Sequence, residues 1–331
     1  MLALVAILYP FEWKLKNDDY PIPIFSGATN FQIINGRRLA YIFSGSAIIA
    51  ALLAMILLGL NLGIDFRGGS LIETRFKSPP SISELRGKVD SLGLGEITIQ
   101  EFGNPNDILI RIQKQPGAVE DQTQAIKTVI DALGSDVEIR RTEFIGPTVG
   151  EELKEAGAIA VLLSLIGIVA YVWFRFEWQF AIAGIAALVH DVVITIGLFA
   201  VTGWEFNLAT IAALLTIAGY SINDTVVVFD RVRENLRRFK QEPLPSLLNR
   251  SVNDTLSRTV MTSLTTMIAL IALAMFGGEV IRDFTYALIW GVVIGTYSSI
   301  FIASCLLLFF RDVRNTRPSN NDHDREIETA N

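Results

Sequence analysis

The sequence predicts a polytopic α-helical membrane protein of about six spans, with one external α+β domain of ferredoxin-like type between the first and second. Three observations predict it. Of 331 residues, 51% are hydrophobic and only 19% charged, and mean hydropathy is +0.42, whereas a soluble chain carries about a quarter charged residues. About six apolar windows reach the length that a helix needs to cross roughly 30 Å of hydrocarbon. One long stretch between the first two windows is polar and carries strand and helix patterns of its own.

The windows are Leu39–Leu60, Ala156–Phe174, Phe180–Thr202, Leu208–Phe229, Thr259–Phe276 and Phe284–Phe310. Basic residues flank them unevenly. Arg37 and Arg38 precede the first; Arg231, Arg233, Arg237, Arg238 and Lys240 follow the fourth; Arg311, Arg314 and Arg317 follow the sixth. With an even number of spans these clusters share one side, which the positive-inside rule makes cytoplasmic. Both termini are then expected in the cytoplasm, and the large polar domain on the external side. The expected organisation is a cytoplasmic extension over 1–36, a first helix over 37–63, the external domain over 64–150, a five-helix bundle over 151–312 and a disordered tail over 313–331. Met1–Pro10 is apolar but too short to span, and reads as a surface-lying or disordered extension.

Within the external domain, Ile72, Thr74 and Phe76 alternate with Leu71, Glu73 and Arg75, as on a strand. Ser81-Ile-Ser-Glu84 is a capping box that predicts a side-chain cap on the following helix, whose apolar stripe is Ile82, Leu85, Val89 and Leu92. Ile97 and Ile99 mark a second strand, Gly103–Asp107 a turn, and Ile108, Ile110 and Ile112 a third strand. Ile126, Val129, Ile130 and Leu133 stripe a second helix, and Val137 and Ile139 begin the last strand. This order is that of a split βαβ domain.

Composition excludes several classes. A net charge of −6 and a pI of about 5.1 supply no basic field for nucleic acid. One cysteine, Cys305, removes disulfide and thiol-metal scaffolds, and two histidines leave little for a metal cluster. Neither HExxH nor a plausible Ser–His spacing is present, so no enzyme activity, metal or cofactor is expected.

Ionisable residues inside spans are costly and call for a reason. Asp224 lies in the fourth window, about 10 Å from the boundary at Arg231, with Tyr220 and Ser221 on its face at i−4 and i−3 and Asn223 beside it. It either carries protons or fixes helix packing through hydrogen bonds. Arg258 enters the fifth window at similar depth, followed by a polar stripe of Thr262, Thr265 and Thr266. If these spans are neighbours, an ionised Asp224 pairs with Arg258 and protonation breaks the pair; alternatively Arg258 snorkels to the interface. His190 and Asp191 sit mid-way along the third window on different faces and are not expected to form one site; Asp191 with Thr195 extends a polar path. Asp230 reads as a solvated ion-pair partner. Gly291-x-x-x-Gly295 reads as ordinary close helix packing rather than a dimer face. At the exit of the first window, glycines of Gly63-Ile-Asp-Phe-Arg-Gly-Gly-Ser70 suit a tight turn, with Asp65 and Arg67 placed to cap or pair.

The GIDFRGGS exit motif at 63–70, the large insertion and the run GYSINDTVVVFDRVREN at 219–235 together resemble the SecF family, within the resistance-nodulation-division superfamily. The resemblance spans about Arg37 to Arg314 and includes Val189-His-Asp-Val192 and Asp254-Thr-Leu-Ser-Arg-Thr259. It singles out Gly63, Asp65, Phe66, Gly68 and Gly69 as family motif residues. It implies partnership with SecD, assistance to the SecYEG channel with a translocating unfolded polypeptide, contact with membrane lipid, and use of the proton motive force. It further implies the inner membrane of a bacterium, with the external domain in the periplasm. It also implies that Asp224 and Arg258 belong to a proton path completed by SecD. Rival assignments are a proton-driven small-molecule exporter, an intramembrane aspartyl protease (for which the Gly-x-Gly-Asp context is missing) and a non-catalytic scaffold for SecD.

Overall fold

Six long apolar helices and one four-stranded sheet dominate the computed structural model, which describes residues 31–95, 97–113, 115, 119–134, 137–277 and 281–310. The expectations for Met1–Pro10 and for the C-terminal tail lie outside these residues.

Helix α1 (Arg37–Leu57) follows a 3-10 turn at Ile34–Gly36. Residues 31–36, at the end of the expected N-terminal extension, are docked: Ile34 N–H donates to Asn249 Oδ1 at 2.9 Å and Phe31 N–H to Asn253 Oδ1 at 2.9 Å. A one-turn helix, α2 (Ile64–Arg67), then leads into β1 (Gly69–Phe76). Between them the backbone takes φ 69° and ψ 172° at Gly68 and φ 117° at Gly69, conformations that only glycine occupies cheaply.

The external domain continues as α3 (Ile82–Asp90), β2 (Ile97–Phe102), β3 (Asn104–Ile112), α4 (Val119–Leu133) and β4 (Val137–Ile145). The strands are all antiparallel to their neighbours in the order β2-β3-β1-β4, the split βαβ arrangement the pattern predicts. The core under the helices joins Ile72, Val89, Ile108, Ile110, Ile112 and Val129. Two local expectations fail. Ser81 is the N-cap of α3, but its hydroxyl bonds Ser83 Oγ at 2.9 Å and not the helix N–H groups. Residues 104–107 are not a turn: the reversal is confined to Gly103, and β3 already pairs from Asn104. Asp107 is therefore inside the sheet, where Arg75 opposite it donates to both carboxylate oxygens at 2.5 Å. Strand β1 is buried on both faces near its start, because Leu71 packs with Ile64 and Leu109 on the side away from the helices.

Among the described residues five helices follow: α5 (Pro147–Arg175), α6 (Trp178–Thr202), α7 (Leu208–Arg238), α8 (Leu244–Phe276) and α9 (Arg282–Ser298), the last prolonged by a π turn at Ser299–Ala303 and a short helical end to Phe309. The apolar spans are Ile34–Leu57, Val149–Arg175, Trp178–Thr202, Leu208–Arg238, Leu244–Phe276 and Arg282–Phe309. Helix α8 begins well before the apolar window at Thr259. At 1.5 Å per residue its 33 residues reach about 50 Å, more than a bilayer core needs. Its first half buries Leu247, Leu248 and Val252 against α7 and the 31–36 segment. Gly291 and Gly295 face α7: a side chain at Gly291 would strike Ile217, and a Cβ at Gly295 would lie 3.1 Å from Ser221 Cβ. The motif is thus packing within the chain.

Candidate functional site

Polar side chains in the middle of α6, α7 and α9 meet at Asp191, which is 0% exposed. Ser221 Oγ donates to Asp191 Oδ2 at 2.5 Å and Ser298 Oγ to the same oxygen at 2.6 Å. His190 Nδ1 lies 2.8 Å from Asp191 Oδ1. The two adjacent residues therefore form one site, contrary to the expectation from their helical spacing. Helix α6 packs against α1, α7 and α9, so the faces that carry His190 and Asp191 are both buried, and the imidazole reaches back to the neighbouring carboxylate. A carboxylate with three donors is what a low-dielectric site requires if it is to hold charge at all. His190 also lies against the Tyr297 ring at 6.1 Å, and Tyr297 Oη bonds Ser44 Oγ at 2.9 Å, which joins α1 to the cluster. Thr195 does not extend the path: its hydroxyl donates to the Asp191 backbone carbonyl at 2.7 Å.

Asp224, one turn from Ser221, is 2% exposed and its Oδ2 has no hydrogen-bond partner. Ser221 and Tyr220, expected beside it, turn elsewhere: Ser221 to Asp191 and Tyr220 Oη to Ser263 Oγ at 3.4 Å. Arg258 is the charge whose field reaches Asp224, but no ion pair joins them among the described residues. Arg258, Asn223 and Thr265 are exposed on the surface of the chain, while Thr262 and Thr266 are half-buried. The hydroxyls of Thr262 and Thr265 donate to carbonyls of their own helix, so these two threonines are satisfied within it. Asp230, at the end of the fourth span, pairs with Arg175 at 2.8 Å as an exposed ion pair.

Sequence reasoning missed Ser298, Ser299 and Ser263. Thr225 Oγ1 and Ser299 Oγ are 2.9 Å apart, and Ser263 Oγ and Thr296 Oγ1 2.7 Å. Serines in an apolar run carry a weak signal, and only the packing of the helices brings Ser298 of α9 to Asp191 of α6 and sets Ser299 and Ser263 against hydroxyls of neighbouring spans.

The exit motif is a second polar centre, where the external domain meets the bundle. Asp65 Oδ2 accepts from Leu208 N–H at 2.9 Å, capping α7 from another part of the chain. Gly63 N–H donates to Phe206 O at 2.9 Å and Phe206 N–H to Asn61 O at 2.8 Å. Phe66 stacks near Phe206 with ring centres 6.1 Å apart. Beside these bonds Arg111, from β3, forms an ion pair with Glu205 and donates to Asn61 Oδ1 at 3.1 Å. Burial pushes the Glu205 carboxyl above its ordinary range, and Arg111 pulls against that shift without cancelling it.

Comparison with known proteins extends these observations. The family model described as "Protein export membrane protein SecD/SecF, C-terminal" matches residues 125–313, and that for the "SecD/SecF GG Motif" matches residues 54–80. The chain is 42% identical over 298 residues to the protein translocase subunit SecF of Rickettsia rickettsii, covering 88% of this chain and 95% of that one. It is 48% identical over 290 residues to the SecF subunit of Magnetococcus marinus, covering 86% and 93%. The crystal structure of SecDF from Thermus thermophilus, a translocon-associated membrane protein, superposes with a TM-score of 0.80 at 35% identity, over 92% of this chain. A structure of SecDF in a super-membrane-facing form gives 0.66 at 34% identity over 98%. The chain spans only 42% and 44% of those two solved chains.

Proposed function

The chain belongs to the SecF family of multi-pass membrane proteins, and from that premise we propose that it is the SecF half of a SecDF-type accessory unit that helps move unfolded polypeptide through the SecYEG channel. Its partner is SecD, and it works in the bacterial inner membrane with both ends of the described bundle cytoplasmic and the α+β domain outside. The basic residues beside the first and fourth spans support this orientation. The unit draws on the proton motive force, each elementary charge crossing 100 mV releasing about 2.3 kcal/mol, and this chain carries no catalytic chemistry of its own.

One observation carries the proton-coupling part: a buried carboxylate, Asp224, has an unpartnered oxygen and stands near an exposed arginine, Arg258. A satisfied structural aspartate resembles Asp191, with three donors. Asp224 is the opposite, and an acid kept short of partners changes its proton occupancy with its surroundings. Ionised, it attracts Arg258; protonated, it releases it. The exposure of Arg258 and Asn223 supports a second subunit completing the site on that face. Motion at this level reaches the external domain through α7, whose first N–H is held by Asp65 of the exit motif.

The test is translocation in membrane vesicles containing SecD and the channel, with and without a proton gradient. Asp224→Asn is expected to abolish the gradient-stimulated part while assembly and the ATP-driven part stay normal. Full stimulation in that variant sinks the proton role and leaves a scaffold for SecD.

A further inference from the structure

Outside both polar centres, a cavity of about 620 Å³ opens between the end of the second span and the end of the fourth, lined by Arg175, Asp230, Arg233, Glu234, Arg237 and Arg238. Its acids are already engaged. Asp230 holds Arg175 at 2.8 Å, and Glu234 holds Arg231 at 2.8 Å, outside the cavity lining. Arg233, Arg237 and Arg238 therefore face the space with no carboxylate partner among the described residues. Two of the guanidinium groups are held in place by one ring: Arg175 lies 4.9 Å and Arg233 5.6 Å from the Phe176 centroid, and Arg233 also donates to the Arg175 carbonyl at 3.5 Å.

Depth in the membrane narrows the ligand class. Trp173 and Phe174, in the last turn of the second span, are 60% and 94% exposed, and Trp178 opens the third span at the same level. Aromatic side chains bared at a span end mark the headgroup layer. A cavity at that level, lined by guanidinium charge that no carboxylate among the described residues neutralises, attracts the negative charge of a phosphate.

We propose that this cavity binds the phosphate headgroup of an anionic phospholipid, its acyl chains lying along Trp173 and Phe174. The site depends only on the chain spanning a membrane, and not on the proton path. A zwitterionic headgroup brings an ammonium group that competes with the arginines, so the site discriminates by net charge.

The experiment uses the full chain in mild detergent, titrated separately with phosphatidylglycerol, phosphatidylcholine and inorganic phosphate, with bound species read by native mass spectrometry. Phosphatidylglycerol is expected to bind at least tenfold more tightly than phosphatidylcholine. Arg233→Gln/Arg237→Gln should weaken it roughly thirtyfold, two arginines' worth of attraction at an anionic surface. Arg233→Lys/Arg237→Lys, which keeps the charge, should recover most of that loss and so separates binding from misfolding. Equal binding of the two lipids overturns the proposal, as does phosphatidylglycerol binding unchanged in the glutamine variant or a lysine variant no better than it. Inorganic phosphate that binds as tightly as phosphatidylglycerol would assign the cavity to a free anion and overturn the lipid assignment.

Discussion

Removing either member of the Arg111–Glu205 pair should loosen the junction between the external domain and the bundle, but by unequal amounts. Both side chains are largely covered, at 12% and 18% exposure. Glu205→Gln strands a guanidinium that cannot shed its charge at any accessible pH, and breaking a buried pair in this way costs about 3–5 kcal/mol. Asn61 Oδ1 still accepts from Arg111, so the lower end, about 3 kcal/mol, is expected. Arg111→Leu strands a carboxylate that has an escape. Burial already favours its protonated form, so the penalty is capped at about 1.4 kcal/mol per pH unit above its pKa. The cost of Arg111→Leu should therefore shrink from pH 7.5 to pH 5.5, while that of Glu205→Gln should not shrink, because the wild-type carboxyl itself binds protons more readily when folded. The double variant should be more stable than Glu205→Gln alone. Hydrogen exchange at the Gly63, Phe206 and Leu208 amides, whose bonds cross the junction, reads the opening free energy. Equal and additive single costs with no pH dependence would refute the reasoning.

Four further outcomes are expected. Asp107→Asn should cost the external domain about 1.5–3 kcal/mol; Arg75 holds the Asp107 carboxyl below its ordinary 3.8, so the wild type keeps this contribution above that pH and loses it as pH falls through the lower folded value. An acid titration of unfolding in which wild type and variant run parallel would contradict this. Gly68→Ala should destabilise the exit turn by about 1–3 kcal/mol, because a side chain is strained at that backbone conformation; proteolysis of the 64–70 segment measures it. Gly291→Leu forces a side chain into Ile217, and a loss of about 1–3 kcal/mol should lower thermal stability in detergent. Asp191→Asn puts an amide donor among Ser221, Ser298 and His190, and should lower that stability even without a proton gradient, unlike Asp224→Asn.

Most of the fold was legible because its signals are long-range in sequence and strong. Window length and hydropathy placed six spans, and alternation placed four strands in the right order. What failed was local and geometric. Asp107 sat in a turn-like Gly-Asn-Pro-Asn-Asp run, yet the sheet takes it because Arg75 lies opposite. Ser81 carried a capping signature that its neighbour Ser83 diverts. At the site, the acids were found from their cost in the membrane, but their partners were not. Adjacency in sequence argued against His190 and Asp191 meeting, and nothing short of the packing of α6 on α9 assigns Ser298 to Asp191. Arg111 and Glu205 were invisible for a simpler reason: charged residues in polar segments are common, and only the docking of β3 against the 203–207 loop makes a pair of them.

The closeness of the external domain's two ends has a consequence for how the whole chain assembles. Strands β1 and β4 are paired down to Gly69 and Ile145, and a Cβ at Gly150 would lie 3.2 Å from the Gly68 nitrogen. Measured at its neck, the domain is a graft whose two stems touch. The closure entropy that the bundle sees when the first and second spans come together is thus that of a very short loop, whatever the size of the grafted fold. The domain can be enlarged, exchanged or excised between those glycines without altering the distance that the spans must keep.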